Sequence, residues 1–296
     1  MNFKFNYSII IPHKNTPDLL RKCLDSIPKR DDVQIIVVDD NSDEDKVDFA
    51  HFPGLNEART EVYLTKEGKG AGYARNVGLK HAVGKWVVFA DADDYFHPCI
   101  NDIVDQCVNM SEDIVFFKAD SINLKDGTRG YRADGFNERI DIAINNSDFQ
   151  PALFYSSPWC KVFKHDFLKR NEIKFNEVPC GNDVVFMAKA ARYSSKFRAF
   201  DITAYCITCS DTSITAQKTS ITEEIRLQQD IMGLKIYKEK YQLTKTDKYW
   251  YFHTWYNLYQ MIPKKAYCYF GNMFYLLGSS FLYNFAKELF KDMKRK

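Results

Sequence analysis

A strand that runs straight into acid constrains this chain more than any other feature. Trp86 to Ala90 is short, uncharged and β-rich, fit for a strand buried on both faces, and Asp91, Asp93 and Asp94 follow it at once. Three carboxylates at one strand end repel one another and lose hydration, which a divalent cation compensates. Local chemistry leaves a second reading open, in which Asp93 or Asp94 is the N-cap of a helix starting near Pro98.

The rest of the N-terminal half repeats the theme. Tyr7 to Ile11 reads as a buried strand stopped by Pro12, and Asn15-Thr16-Pro17 opens a helix with Leu20, Cys23, Leu24 and Ile27 on one face. Val33 to Val38 is a second strand, and it too ends in acid, at Asp39 and Asp40. Val62 to Leu64, the glycine-rich turn Gly68 to Gly72, a helix through Lys80, a helix bearing Ile100, Ile103, Val104, Cys107 and Val108, and a strand Ile114 to Phe117 follow. Alternating strands and helices imply an α/β chain with a mostly parallel sheet, and right-handed crossovers bring the strand C-termini to one edge, where such sheets bind ligands. Asp39, Asp40, Asp91, Asp93 and Asp94 are therefore expected to converge. Two strands ending in acid at one edge exceed what turn chemistry requires, which favours a site over a cap.

Residues 119–150 lose periodicity and carry Gly127, Gly130 and Gly135, which reads as a long excursion or hairpin. Pro158 to Phe163 is expected to be a strand or turn, Asp166 to Arg170 a short helix, and Val184 to Arg192 a longer one with Asp183 in its first turn, where the helix dipole stabilises charge. Phe197 to Cys209 alternates as a strand that ends at Asp211-Thr212-Ser213-Ile214-Thr215.

Composition bounds the partners. With 296 residues and 45% hydrophobic side chains the chain can fill a large core, and a formal net charge of +2 gives none of the field that nucleic-acid binders show, so DNA and RNA are excluded as expected partners. The start of the sequence lacks the apolar run of a secretory signal, so the expected location is cytoplasmic. Eight scattered cysteines then read as reduced thiols, and Cys206-x-x-Cys209 has no second pair or histidine at zinc spacing.

The last third differs. Between Lys265 and Lys287 no residue is charged, and the aromatic-rich run is flanked by Lys264, Lys265 and the basic tail through Lys296, for a net charge of +5 over 264–296. This suits peripheral contact with an anionic membrane, here the inner face of the plasma membrane, or a buried helix pair completing the core; polar residues and glycines argue against a span. The expected division is 1–215 as the catalytic domain and 216–296 as a helical appendage.

Gly68, Gly70 and Gly72 follow a strand and open a helix, but Tyr73 stands where a dinucleotide fingerprint requires glycine, and no GK[ST] follows. What remains is a turn feeding Arg75 and Asn76 toward the acidic edge, where a guanidinium can meet phosphate oxygens. The segments SIIIPHKNTPDLLRKCLDSI, IIVVDDNSDE, GYARNVGLKHAVGKWVVFADADD and GNDVVF, in that order and spacing over about residues 6 to 215, resemble the family 2 glycosyltransferases of the GT-A fold. The resemblance implies a Rossmann-like central sheet flanked by helices. It also implies inverting transfer from a nucleotide-diphosphate sugar, usually UDP-linked, to a glycan or lipid-linked acceptor with Mg²⁺ or Mn²⁺.

On that resemblance Pro12 and Asn15 lie beside the nucleotide, Asp40 with Asp39 binds the base, and Arg75 sits near base and phosphates. Asp91-Ala92-Asp93 matches the DxD motif, with Asp91 facing ribose or metal, Asp93 the metal, and Asp94 able to share that duty. Asp183 matches the general base of the family's ED pair, but Asn182 stands where Glu is commoner, which puts that residue's acceptor contacts in doubt. No histidine after Ser210 matches the extra metal ligand of some members, His253 lying in an aromatic helix. Two other readings are a sugar-nucleotide pyrophosphorylase, which would need an Arg- and Lys-bearing glycine loop after the first strand where this chain has PHKNTP, and a non-catalytic protein that kept the fold.

Overall fold

The computed structural model describes residues 5–210 and 219–295; the expected boundary at 215 and the Asp211–Thr215 strand end lie outside the described residues. In chain order the elements are β1 (Tyr7–His13), α1 (Pro17–Ser26), β2 (Val33–Asp40), β3 (Thr60–Thr65), α2 (Ala71–His81), β4 (Trp86–Phe89), β5 (Tyr95–Phe96), α3 (Ile100–Cys107) and β6 (Ile114–Asn123). There follow α4 (Asp134–Asn146), α5 (Gln150–Leu153), β7 (Lys161–Lys164), α6 (His165–Arg170), α7 (Asn182–Tyr193), β8 (Phe197–Cys209) and five helices, α8 (Ser220–Lys238), α9 (Lys245–Met261), α10 (Pro263–Cys268), α11 (Phe270–Leu277) and α12 (Ser279–Arg295).

The strands form one sheet in the order β3-β2-β1-β4-β7-β6-β8-β5. β7 runs antiparallel to both β4 and β6, and β5 antiparallel to β8, so the other six strands share one direction. Their C-termini meet at one edge, as the crossover rule requires. The central strands carry apolar side chains on both faces because α2 covers β1 and β2 while α4 covers β6 and β8.

Three local expectations are corrected. Pro12 does not stop β1, which runs on to His13 in register with β2. The carbonyl of Ile10 accepts from Ala90, so two residues later the missing N–H of Pro12 points the same way, beyond the end of β4, and no ladder bond is lost. Neither Asp93 nor Asp94 caps α3, which begins at Ile100 after a Cys99 with no side-chain cap; the intervening residues form the two-residue strand β5. Residues 119–150 do hold a short hairpin, in which Ile122 bridges antiparallel to Arg129, but they are not irregular throughout. β6 continues to Asn123, and α4 buries Phe136, Ile140 and Ala143 at helical spacing.

The C-terminal helices build a second apolar cluster around Trp255, with Leu227, Phe252, Met273, Leu277 and Phe281 buried. α8 ties it to the sheet domain by packing along α7. Gly233 makes this close approach possible, since a Cβ there would sit 2.7 Å from Val184.

Candidate active site

The ends of β2 and β1 interlock first. Asp39 is 1% exposed and accepts from Ser42 N–H at 2.9 Å, with its other oxygen 2.7 Å from His13 Nδ1. Hydrogen bonding from His13 and Ser42 outweighs burial and holds its carboxyl below the ordinary range. Asp40 turns the other way and accepts from Lys69 N–H at 3.1 Å and Gly70 N–H at 2.6 Å, so it anchors the glycine-rich turn that opens α2. Asn15, in a left-handed conformation, donates its backbone N–H to Ser42 and exchanges side-chain hydrogen bonds with Asp43, joining the two strand-end loops. Pro12 lies opposite Val38 in the same layer.

The second group follows β4. β2 and β4 flank β1, which puts their ends about 10 Å apart at ordinary strand spacing. The Arg75 guanidinium, carried up by α2, donates to Asp91 Oδ1 at 2.6 Å and to Asn182 Oδ1 at 3.0 Å. It therefore spans from the end of β4 to the first residue of α7. α2 reaches this position because Gly72 has no side chain; a Cβ there would lie 2.3 Å from the carbonyl of Asn176. Gly181, at φ 66°, makes the left-handed step into α7 that starts the helix at Asn182, set toward Arg75, with Asp183 in its first turn.

Strand β8 braces the acidic loop from behind. The Asp91 N–H donates to the Tyr205 hydroxyl at 2.9 Å, and Tyr205 also hydrogen-bonds to Asp94. Thr208 donates its N–H to Asp94 Oδ1 at 2.8 Å and its hydroxyl to the Asp93 carbonyl at 2.7 Å. Ala92, 7% exposed, fills the inside of the turn.

Asp91, Asp93 and Asp94 offer oxygens that all lie within 4.8 Å of one another. Burial first, and then the Asp91 charge, push Asp93 up to about 6; the same causes and Asp93 itself push Asp94 well above the ordinary range. Such a set holds excess negative charge that a hard, oxygen-seeking cation neutralises, so the residues present fit Mg²⁺ or Mn²⁺. Asp94 is 3% exposed and already bonded by Thr208 and Tyr205, whereas Asp91 and Asp93 are the more open of the three.

Asp183 is also raised, by burial, against the opposing charges of Arg75 and Lys161. Lys161 is 0% exposed, its ammonium enclosed by the rings of Phe116, Phe136, Tyr155 and Trp159 at 4.8 to 5.9 Å and donating to the Ser157 carbonyl at 2.5 Å. Burial lowers its pKa to about 7. The sequence reading missed Lys161, Tyr205 and Thr208, since only the pairing of distant strands brings them to the site. The Trp159-Cys160-Lys161 run, with a lysine amid apolar residues, was the one available signal.

The family model described as Glycosyl transferase family 2 matches residues 8–171. A poly(ribitol-phosphate) beta-glucosyltransferase of Bacillus spizizenii is 31% identical over 194 residues, covering 62% of this chain and 29% of that protein. A GalNAc(5)-diNAcBac-PP-undecaprenol beta-1,3-glucosyltransferase of Campylobacter jejuni is 30% identical over 200 residues, covering 66% of this chain and 63% of that protein. The chain thus spans less than two thirds of the length of either. Staphylococcus aureus TarS 1-349, solved with UDP-GlcNAc, superposes with a TM-score of 0.61 at 20% identity over 88% of this chain and 83% of that one, which speaks for a shared GT-A fold. With more than half of its 296 residues covered by the family model, the chain belongs to glycosyl transferase family 2.

Proposed function

We propose that this chain is an inverting glycosyltransferase that moves a sugar from a nucleotide-diphosphate sugar, UDP-linked, to a hydroxyl of a glycan or lipid-linked saccharide in surface polysaccharide synthesis. The observation that carries the reading is the Asp91, Asp93 and Asp94 cluster at the end of β4, with Arg75 bridging Asp91 to Asn182, the neighbour of Asp183. Relatives named as transferring glucosyl groups to polymer or lipid-linked acceptors, and a structural neighbour holding UDP-GlcNAc, support it.

Each residue has a distinct part in this reading. Asp40 with Asp39, held in place by the glycine-rich turn, His13 and Ser42, lines the base side of the site, and Pro12 and Asn15 shape the floor beside them. Asp91 and Asp93, backed by Asp94, would hold Mg²⁺ or Mn²⁺, which when bound would supply positive charge against the departing diphosphate. Arg75 fixes Asp91 and adds a positive charge at the same place. Asp183 accepts the proton of the acceptor hydroxyl as its oxygen attacks the anomeric carbon from the face opposite the leaving group, so one displacement inverts that centre. Burial raises the pKa of Asp183, which makes its carboxylate a stronger base than an exposed one.

The test is incubation with UDP-, GDP- and dTDP-sugars with Mn²⁺ or Mg²⁺, following release of nucleoside diphosphate. Slow hydrolysis of one UDP-sugar, lost with EDTA, is the expected result. Formation of a nucleotide sugar and pyrophosphate from a nucleoside triphosphate and a sugar 1-phosphate would favour the pyrophosphorylase reading instead. No turnover of any donor despite nucleotide binding would favour a non-catalytic role.

A further inference from the structure

On the outer side of β8 lies a second set of metal-ligating side chains. Asp120 on β6 pairs across from Cys206 on β8, and Cys206 pairs on its other side with Tyr95 of β5. His97 follows β5, with its N–H bonded to the carbonyl of Ala204, two residues from Cys206 and on the same face of β8. Three adjacent chain segments thus present a carboxylate, a thiol and an imidazole to one point. Their ligand atoms all lie within 4.8 Å of one another, with His97 Nε2 2.9 Å from Asp120 Oδ1. The Tyr95 hydroxyl and Asp120 both hydrogen-bond the Cys206 thiol.

We propose that His97, Asp120 and Cys206 form a binding site for a zinc-class transition-metal ion, separate from the carboxylate cluster at Asp91 and Asp93. Sulfur and imidazole nitrogen select zinc or cobalt over magnesium, and three protein ligands leave one position open, the arrangement typical of an accessible zinc centre. The Cys206 side chain is 0% exposed, while His97 and Asp120 reach solvent and give the ion a way in. Binding releases the thiol proton to solvent as the thiolate–metal bond forms. Cys209 takes no part, since three residues along a strand it faces the opposite side from Cys206. The ion would pin β5 to β6 and β8. β5 directly continues the Asp91–Asp94 loop, and β8 supplies its braces Tyr205 and Thr208, so the pin stiffens the acidic loop from outside.

Cobalt is the probe, because thiolate coordination gives a near-ultraviolet charge-transfer band and tetrahedral geometry gives strong visible absorption. The intact chain titrated with Co²⁺ should develop both at one equivalent, and Zn²⁺ should displace them. Cys206→Ser should abolish the thiolate band, and His97→Gln and Asp120→Asn should each weaken binding at least about tenfold. His97 and Asp120 are partly exposed, so these two variants keep the test valid if Cys206→Ser fails to fold. Asp93→Ala should leave the band unchanged. A thiolate band that survives His97→Gln and Asp120→Asn at full affinity, or cobalt bound with only weak octahedral absorption, overturns the proposal.

Discussion

Arg75 and Asp91 form an ion pair of 2.6 Å in which the arginine side chain is 8% exposed and the aspartate 28%. The guanidinium is planar and its second arm reaches Asn182 at 3.0 Å, so it orients the end of β4 relative to the start of α7. A lysine keeps the charge but cannot bridge both. Arg75→Lys should lower kcat/KM by about 10- to 100-fold, the loss expected for one charge-assisted hydrogen bond of about 1.5–3 kcal/mol. Steady-state kinetics with the donor varied would check this; an unchanged kcat/KM would remove Arg75 from the site.

Asp183 carries the proton-transfer argument. Asp183→Asn should leave donor affinity by calorimetry nearly intact and reduce turnover at least about 100-fold. The native pH profile supplies a second readout. Burial raises this carboxyl, so the acid limb of kcat/KM should fall above the ordinary value of 3.8, and Asn should erase the limb. A mutant that kept both the limb and near-normal turnover would point to a different base.

In the proposed metal site, Asp93 would link cation binding to pH. Its carboxyl titrates near 6 in the folded chain and near 3.8 when unfolded, so between these values the folded state binds more protons. Stability therefore falls as pH rises through that window, and the full cost of the buried charge is present above about 6. A cation binds the charged form and offsets that cost. Mn²⁺ should then raise Tm more at pH 7.5 than at pH 5, and Asp93→Ala should lose most of the gain. Equal shifts at both pH values by scanning fluorimetry would place the cation elsewhere.

How much of this was legible in the sequence depends on range. Asp91, Asp93 and Arg75 sit in local patterns, a buried strand running into acid and a glycine turn feeding a helix, and these patterns carry their own physical reason. The fold class follows from the same alternation. Tyr205 and Thr208 brace the loop only because β8 pairs with β5, a contact more than a hundred residues apart that no local period announces. β5 itself is two residues long, too short to show an alternation. α4 was missed for another reason: Phe136, Ile140 and Ala143 carry its buried face, but glycines and mixed charges around them masked the spacing.

Lys161 is a buried ammonium with aromatic neighbours, and among the described residues it has no carboxylate within ion-pair distance. Its folded pKa near 7 lies below the ordinary 10.5, so between these values the unfolded chain binds more protons. Stability then rises with pH across that window, and the cost of the buried cation is fully present below about 7. Lys161→Met fills the same volume without charge. It should unfold at an equal or higher Tm at pH 6.5, with the difference from wild type shrinking toward pH 10. A clear loss of Tm at pH 6.5 would mean that the cation is stabilising, through Asp183 or the rings around it.

The C-terminal helices are core on one side and carry exposed apolar side chains on the other. Met273, Leu277 and Phe281 pack around Trp255, so deleting 264–296 should unfold the second cluster rather than report on lipid binding. Yet of the eighteen large apolar side chains exposed among the described residues, seven lie between residues 261 and 290, including Tyr275 at 79%, Tyr283 at 68% and Phe290 at 66%. Tyr283, Lys287 and Phe290 follow one another at helical spacing on α12, so apolar rings and a basic residue share a face. Among the described residues no helix is long and apolar enough to cross a membrane, which leaves contact with a surface. We propose that this face rests on anionic lipid, consistent with a lipid-linked acceptor. Tyr283→Glu with Phe290→Glu removes two insertions worth about 1.5–3 kcal/mol each and adds repulsion, so co-sedimentation with phosphatidylserine vesicles should drop at least about tenfold with Tm unchanged. Wild-type binding should also weaken with salt, since the lysines act through screened charge. Equal sedimentation of the double variant and wild type would make this surface a docking face for something other than lipid.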